Sequence, residues 1–413
     1  MRDFKCNVAV KMKTLSIVLI VCAQLLSTLI GIYFSTSKGF LIQIMLLAIV
    51  CMLFGYLLYP NFAISKKNLG IIIVVCAFYL GTKLFVLDKC ELGIYVFVVM
   101  LLIPYLAGMQ KINYKKALEY IMYILYIIVP VMNILFMKNN LSSTYDAITM
   151  GTSYAILPVL CACVLHFHYY RKTSNLCQKI CYVLAVIISL FYIPMSYRGA
   201  LVSYFLVILF TVFMEITNNK KKYFSLGRKI IIFMFFFIVC VGILNIDTIV
   251  IWLKGILDSV EISVAFIDKY IYLLQEGDVS HGRINIYILA LKGFLNSPIW
   301  GNGISTFEAN TGYEFPHNVF LQFLYDGGLL LAVPLFIALI RGLINIYKMK
   351  NIEMKDQKVF ILLLFFVSIP RMMVSAESWR IMPFWIMLSM INQVHRNHEN
   401  RRKVTYGEEN VKN

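Results

Sequence analysis

The chain has 413 residues, 60% of them hydrophobic and only 14% charged, against about 25% charged for a typical soluble domain. That composition excludes an ordinary water-soluble enzyme, and it excludes disorder, which needs low hydrophobicity and high charge. A net charge of +17 would by itself suit nucleic acid, but in so apolar a chain the charges must first be sorted by membrane side.

A bilayer core of about 30 Å takes roughly 20 apolar residues per helix. In chain order that ruler predicts twelve spans: 15–34, 40–59, 70–87, 92–108, 117–137, 150–170, 180–195, 200–217, 230–247, 318–345, 358–375 and 380–394. The expectation is an all-α polytopic membrane protein, a single integral membrane domain over 1–413. Lys5, Lys11 and Lys13 before the first run resemble a signal peptide, but the run is too long and no small-residue cleavage site follows, so it reads as an uncleaved anchor.

Lys and Arg set the orientation. The segments 1–14, 60–69, 109–116, 171–179, 218–229, 346–358 and 395–413 hold 26 basic residues, and the opposite segments hold nine. Both termini, including a polar tail over 395–413, are therefore expected in the cytoplasm. Ten cysteines do not make a disulfide framework. Most fall in apolar runs, Cys6 and Cys177 sit in basic segments, and Cys90 is the one expected to be exposed on the far side.

Among the polar residues, His166 and His168 come first, at the cytoplasmic end of span 6. Two residues apart on a helix, they face different directions, which argues against a shared metal. Arg198 lies in Ser196-Tyr197-Arg198-Gly199-Ala200, the tight outer turn between spans 7 and 8. Gly199 would let the backbone turn sharply. The guanidinium either offers its planar fork to an anion or snorkels to headgroups.

The one long connection, 248–317, is outside, between spans 9 and 10, and long loops in compact folds are usually functional. Its first part is apolar with interspersed charges, which predicts helix on the membrane surface or over the bundle mouth. A second helix is predicted over 284–295, followed by the turn signals Asn296-Ser297-Pro298 and Gly301-Asn302-Gly303. Arg283 follows His281-Gly282 and is either an anion ligand or half of a surface ion pair with Glu276 or Asp278. His317 lies in Glu314-Phe315-Pro316-His317-Asn318. Asn318 is a fitting N-cap for span 10, so His317 would sit at the positive end of a helix dipole, which disfavours imidazolium. A neutral imidazole there could accept a proton, or merely hydrogen-bond the helix start. Arg371 follows Pro370 inside span 11, about one turn from its outer end, where an ionisable group usually faces a cavity or a partner. Arg380 is expected to pair with Glu377. Lys83 and Arg341, near span ends, read as snorkelling. No paired Asp motif for a metal-bound sugar nucleotide, no P-loop, no zinc-protease motif and no Cys-x-x-Cys is present.

One stretch fits a known pattern. His281-Gly282-Arg283, then Asn296-Ser297-Pro298-Ile299-Trp300-Gly301-Asn302-Gly303, then Pro316-His317-Asn318 and Asp326-Gly327-Gly328 resemble the signature region of the O-antigen polymerase and O-antigen ligase superfamily. Ser196–Gly199 resembles an earlier turn of that family. The resemblance covers 196–330, and the first 190 residues match in hydropathy and span count only. It implies inverting glycosyl transfer on the outer (periplasmic) face of a bacterial cytoplasmic membrane, from a glycan on undecaprenyl diphosphate. A polymerase would use that lipid-linked oligosaccharide as donor and acceptor, and a ligase would move the finished glycan to lipid A–core. By motif, His317 matches the proposed base, and Arg198 and Arg283 match the arginines that hold the diphosphate. Gly199, Gly282, Asn318 and Glu314 support them, while Arg371 is placed by position alone. The resemblance further implies no cofactor or metal, a chain-length regulator as partner, and a product that is O-antigen, capsule or exopolysaccharide, while the sorting of the basic excess by membrane side argues against nucleic acid. A polysaccharide or lipid-linked oligosaccharide transporter is the rival from another class, although no interrupted spans or internal repeats are legible in the chain.

Overall fold

The structure is a computed structural model that describes residues 2–33, 40–60, 65–86, 89–137, 145–218, 246–259, 265–275, 283–348 and 354–393. Among the described residues every regular element is helical. In chain order they are α1 (Arg2–Val21), α2 (Ala23–Tyr33), α3 (Leu41–Leu58), α4 (Lys66–Phe85), α5 (Ile94–Gly108), α6 (Tyr114–Tyr123) and α7 (Leu125–Met137). Next come α8 (Tyr145–Tyr170), α9 (Leu176–Met195), α10 (Arg198–Asn218), α11 (Ile246–Ser259), α12 (Ala265–Gln275) and α13 (Arg283–Asn296). The last are α14 (Phe307–Thr311), α15 (Val319–Lys348), α16 (Lys355–Val374) and α17 (382–393).

Among the described residues seven helices are long and apolar enough to cross a membrane: α3, α4, α8, α9, α10, α15 and α16. The number is eight if α1 and α2, which bend by 71° at Cys22, act as one span. These match predicted spans 1–3, 6–8, 10 and 11. Predicted spans 4, 5 and 12 form shorter elements. Span 4 is α5, interrupted by a π turn at Val98–Leu102. Span 5 is divided at Ile124 into α6 and α7. Span 12 is the short α17, buried along 382–392. Hydropathy alone does not separate an apolar helix covered by protein from one covered by lipid. Span 9, at 230–247, lies almost wholly outside the described residues, as do the 395–413 tail, His281 and Gly282. The 248–317 connection is helical in α11, α12, α13 and α14, as its amphipathic pattern suggests.

The chain forms two compact units, Met1–Tyr120 with Arg283–Asn413, and Ile121–Gly282. In the first, α1 lies along α3. Gly55 faces α1 closely: a Cβ there would come within 2.8 Å of Lys13 Cγ and 3.0 Å of the Ala9 carbonyl. Lys13 is buried and donates to the Tyr59 carbonyl at 2.9 Å, an orphan acceptor at the end of α3. The core of this unit is aromatic: Trp379 and Trp385 stack at 5.7 Å, and Phe323 and Phe384 close on them. In the second unit α8 is the central helix, with 78% of its apolar window buried. Local sequence sets the helix starts. Ser65 accepts from Asn68 N at 3.0 Å, and Asn175 with Gln178 forms a capping box at α9.

Candidate functional site at the Gly-rich turn of the first unit

α15 is broken. Gly328 takes φ 57° and ψ −155°, which is not helical. In an unbroken helix the Tyr325 and Asp326 carbonyls would accept from Leu329 and Leu330. Here all four groups are taken up by the turn after α13. Asn302 N donates to Tyr325 O at 2.8 Å and Gly303 N to Asp326 O at 2.9 Å. Leu329 N and Leu330 N donate to the Pro298 and Ile299 carbonyls at 2.8 and 3.2 Å. The Asn302 side chain adds bonds to Gly293 O and Tyr325 O. Glycine is required on both sides of this joint. Gly301 has φ +72°, and a Cβ on it would lie 2.5 Å from the backbone nitrogens of Gly327 and Gly328. The two glycine-bearing motifs seen in the sequence are thus halves of one structure. The expectation of uninterrupted spans is corrected here: a Gly-Gly pair tolerates the break, and hydropathy does not register it.

The joint positions the rim around it. The Asn318 side chain accepts from Phe320 N at 3.0 Å and Leu321 N at 3.3 Å, so it caps α15 as predicted. His317, just before it, is part-exposed, has φ 52° and sets its ring 4.3 Å from that of Phe315. A left-handed non-glycine residue costs roughly 1–2 kcal/mol and is a recognised mark of functional sites. Gly293 lies against the Tyr325 ring, and a turn earlier α13 packs Ile286 and Ala290 with Leu321 on α15. Arg283 is the first residue of α13.

The loop after α16 closes the same end. Gln322 Oε1 accepts from Ser378 N at 2.9 Å, and Trp379 Nε1 donates to buried Asp326 at 2.6 Å. Arg371, half-buried, occupies the last turn of α16 immediately before this loop. Arg380 pairs with Glu377 at 2.7 Å, as predicted. Sequence reasoning passed over Glu91. Its backbone N–H donates to Ser305 O at 3.1 Å. Ser305, with φ 56°, donates its hydroxyl to Glu377 at 2.8 Å. Glu91, Glu308 and Glu377 thereby converge with Arg380, while Glu314 lies within electrostatic reach of Glu377. A charged residue in a short turn was the local signal for Glu91. Cys90, expected exposed, is buried, and Lys83 Nζ donates to its carbonyl at 2.9 Å. Among the described residues no three His, Cys, Asp or Glu side chains are arranged to hold a metal ion.

Partial burial, with a hydrogen bond to the Glu308 carboxyl, pushes Glu91 up to about 7. Burial likewise raises Glu377, against the pull of Arg380. Both groups hold a proton more tightly folded than unfolded. Their stabilising contribution is therefore complete at acid pH and is lost as pH rises, for Glu91 between about 4.5 and about 7. Thermal midpoints should fall over that window, and Glu91→Gln should flatten the fall. An equally steep profile in the variant would show that Glu91 does not carry it.

Arg198 and Gly199 begin α10 in the second unit, with Gly199 buried. His166 and His168 diverge as expected: the first bonds Tyr182 at 2.7 Å and the second faces Glu215 at 3.5 Å.

No protein-family model matches the chain, and no curated protein matches it.

Proposed function

We propose that the protein is a membrane glycosyltransferase that polymerises undecaprenyl-diphosphate-linked oligosaccharide repeats for O-antigen, capsule or exopolysaccharide. In this reading the chain has twelve spans and lies in a bacterial cytoplasmic membrane. Both termini are cytoplasmic and the Gly-rich joint faces outward, as the 26-to-nine division of Lys and Arg favours. The observation that carries the reading is the joint itself. Two of the motifs behind the family resemblance, around Gly301 and Gly328, meet in one backbone-bonded structure, and His317 stands just before the helix that carries the break.

The chemistry is consistent with such a site. Diphosphate gains charge as the C1–O bond breaks, and placed guanidinium groups stabilise that charge. His317 takes the proton of the attacking acceptor hydroxyl as the new glycosidic bond forms with inversion at C1. Undecaprenyl diphosphate leaves with the bond's electron pair. Arg198, Arg283 and Arg371 are assigned to the diphosphate, Glu314 and Asn318 to support of His317, and Gly199 and Gly282 to close backbone approach.

The test is incubation of the purified protein with lipid-linked repeat units. Growth of the glycan supports polymerase. Transfer to an added lipid A–core acceptor without growth would mean the ligase alternative. Movement across a vesicle without bond formation would mean the transporter, which one observation favours: discontinuous helices such as α15 are common in transporters. In the same assay Arg198→Ala and Arg283→Ala should each lower the rate by about 10²–10³-fold, and Lys replacements should recover only a minor part, because a point charge lacks the bidentate fork. Full activity in the Lys variants would reduce these residues to simple counter-charges. Activity should persist in chelator, and loss that a divalent ion reverses would contradict this mechanism.

A further inference from the structure

The second unit contains a lateral crevice that the transferase reading does not use. It runs between α8, α9 and α10 and has a volume of about 380 Å³, within the roughly 300–1,000 Å³ of small-molecule sites. Its floor is small and buried, at Cys163 and Ala185. Its lips are apolar and exposed, at Phe167, Val186 and Val212. Each of the three helices is long and apolar enough to span a membrane, so these lips face hydrocarbon.

One end of the crevice is polar. Arg171 Nη2 lies 2.8 Å from Glu215, and the guanidinium sits 5.4 Å from the centre of the Phe167 ring. His168 Nδ1 is 3.5 Å from the same carboxylate. Tyr182, on the inner wall, bonds His166 at 2.7 Å and Ser174 at 2.6 Å. The segment after α8 adds exposed Lys172, and the first turn of α9 adds exposed Lys179. The mouth of an apolar slot thus holds a guanidinium paired with one carboxylate, and the adjoining sequence adds two further exposed cations. That charge balance and shape suit an amphiphile with one hydrocarbon chain and a negative head. Basic pockets between membrane helices bind anionic lipid headgroups for the same electrostatic reason.

We propose that this crevice binds an anionic phospholipid of the leaflet that holds residues 171–179, with one acyl chain lying between α8, α9 and α10 and its phosphodiester at Arg171. Arg171 is prearranged for the role, because stacking on Phe167 and pairing with Glu215 hold its fork at the slot's mouth. Glu215 both positions that fork and competes with the phosphate for it.

The proposal is testable on the full-length protein in detergent by native mass spectrometry, with added dioleoyl phosphatidylglycerol or dioleoyl phosphatidylcholine as probes. The wild type should retain phosphatidylglycerol in preference to phosphatidylcholine. Each cation near a phosphate contributes about 1 kcal/mol, so Arg171→Ala should weaken phosphatidylglycerol binding about fivefold and erase the preference. Glu215→Gln should strengthen it by a similar factor, a gain that misfolding cannot imitate. Ala185→Phe fills the floor and should remove both adducts. Equal retention of the two lipids by the wild type, or no gain in Glu215→Gln, overturns the headgroup assignment. Undiminished adducts in Ala185→Phe overturn the placement of the chain.

Discussion

Replacing His317 with alanine is expected to abolish glycan chain growth on lipid-linked repeats while leaving the protein in the membrane. A positioned base is worth about 10²–10⁴-fold. His317 occupies a part-exposed bend, so its removal leaves no core void. His317→Gly and His317→Asn make the experiment more discriminating. Both residues accept the left-handed backbone that His317 adopts at φ 52°, and neither can serve as a base. Glycine should even relieve about 1 kcal/mol of strain. The expected pattern is inactivity in all three variants, with stability in His317→Gly equal to the wild type or better. Wild-type chain lengths in His317→Ala would transfer the role of base to the carboxyl group, where Glu91 is already pushed up to about 7 beside Glu308, a value suited to proton exchange near neutral pH.

The second large effect concerns the joint. Gly301→Ala places a Cβ 2.5 Å from the Gly327 and Gly328 nitrogens in a backbone of φ +72°. Left-handed strain costs roughly 1–2 kcal/mol and overpacking about 1–3 kcal/mol, so a loss of about 2–5 kcal/mol is expected, read as a lowered thermal midpoint in detergent. Gly312→Ala provides the contrast. Its φ is +78°, but nothing lies within 4 Å of the added carbon, so only the strain should be felt. Equal midpoints for the two variants would mean that the turn and the helix break are not tightly docked.

Much of the helical layout was legible because apolar runs near 20 residues have few alternatives in a chain this hydrophobic. The exceptions have physical causes. α17 is buried by protein along 382–392, and composition records apolarity without saying whether lipid or protein covers it. α6 and α7 part at Ile124 with no proline or glycine to announce it. The rim of the site was legible in pieces. Asn318 showed its capping role locally, and the Glu377–Arg380 pair is separated by only three residues. Glu91 was not legible, because what defines it is a contact with Ser305 and a cluster with Glu308 and Glu377, more than two hundred residues away in the chain. Ser305 itself looks ordinary in sequence, yet it joins the Glu91 turn to the loop after α16.

The docked turn also constrains how the protein can be assembled. Until residues 298–303 arrive, the Tyr325 and Asp326 carbonyls and the Leu329 and Leu330 amides would have no partners. In hydrocarbon each such group costs several kcal/mol. The helix break therefore cannot settle in the bilayer ahead of the turn that completes it. The two segments must mature together, like a latch and its keeper, and a chimera that replaced one without the other should stall at insertion rather than merely lose activity.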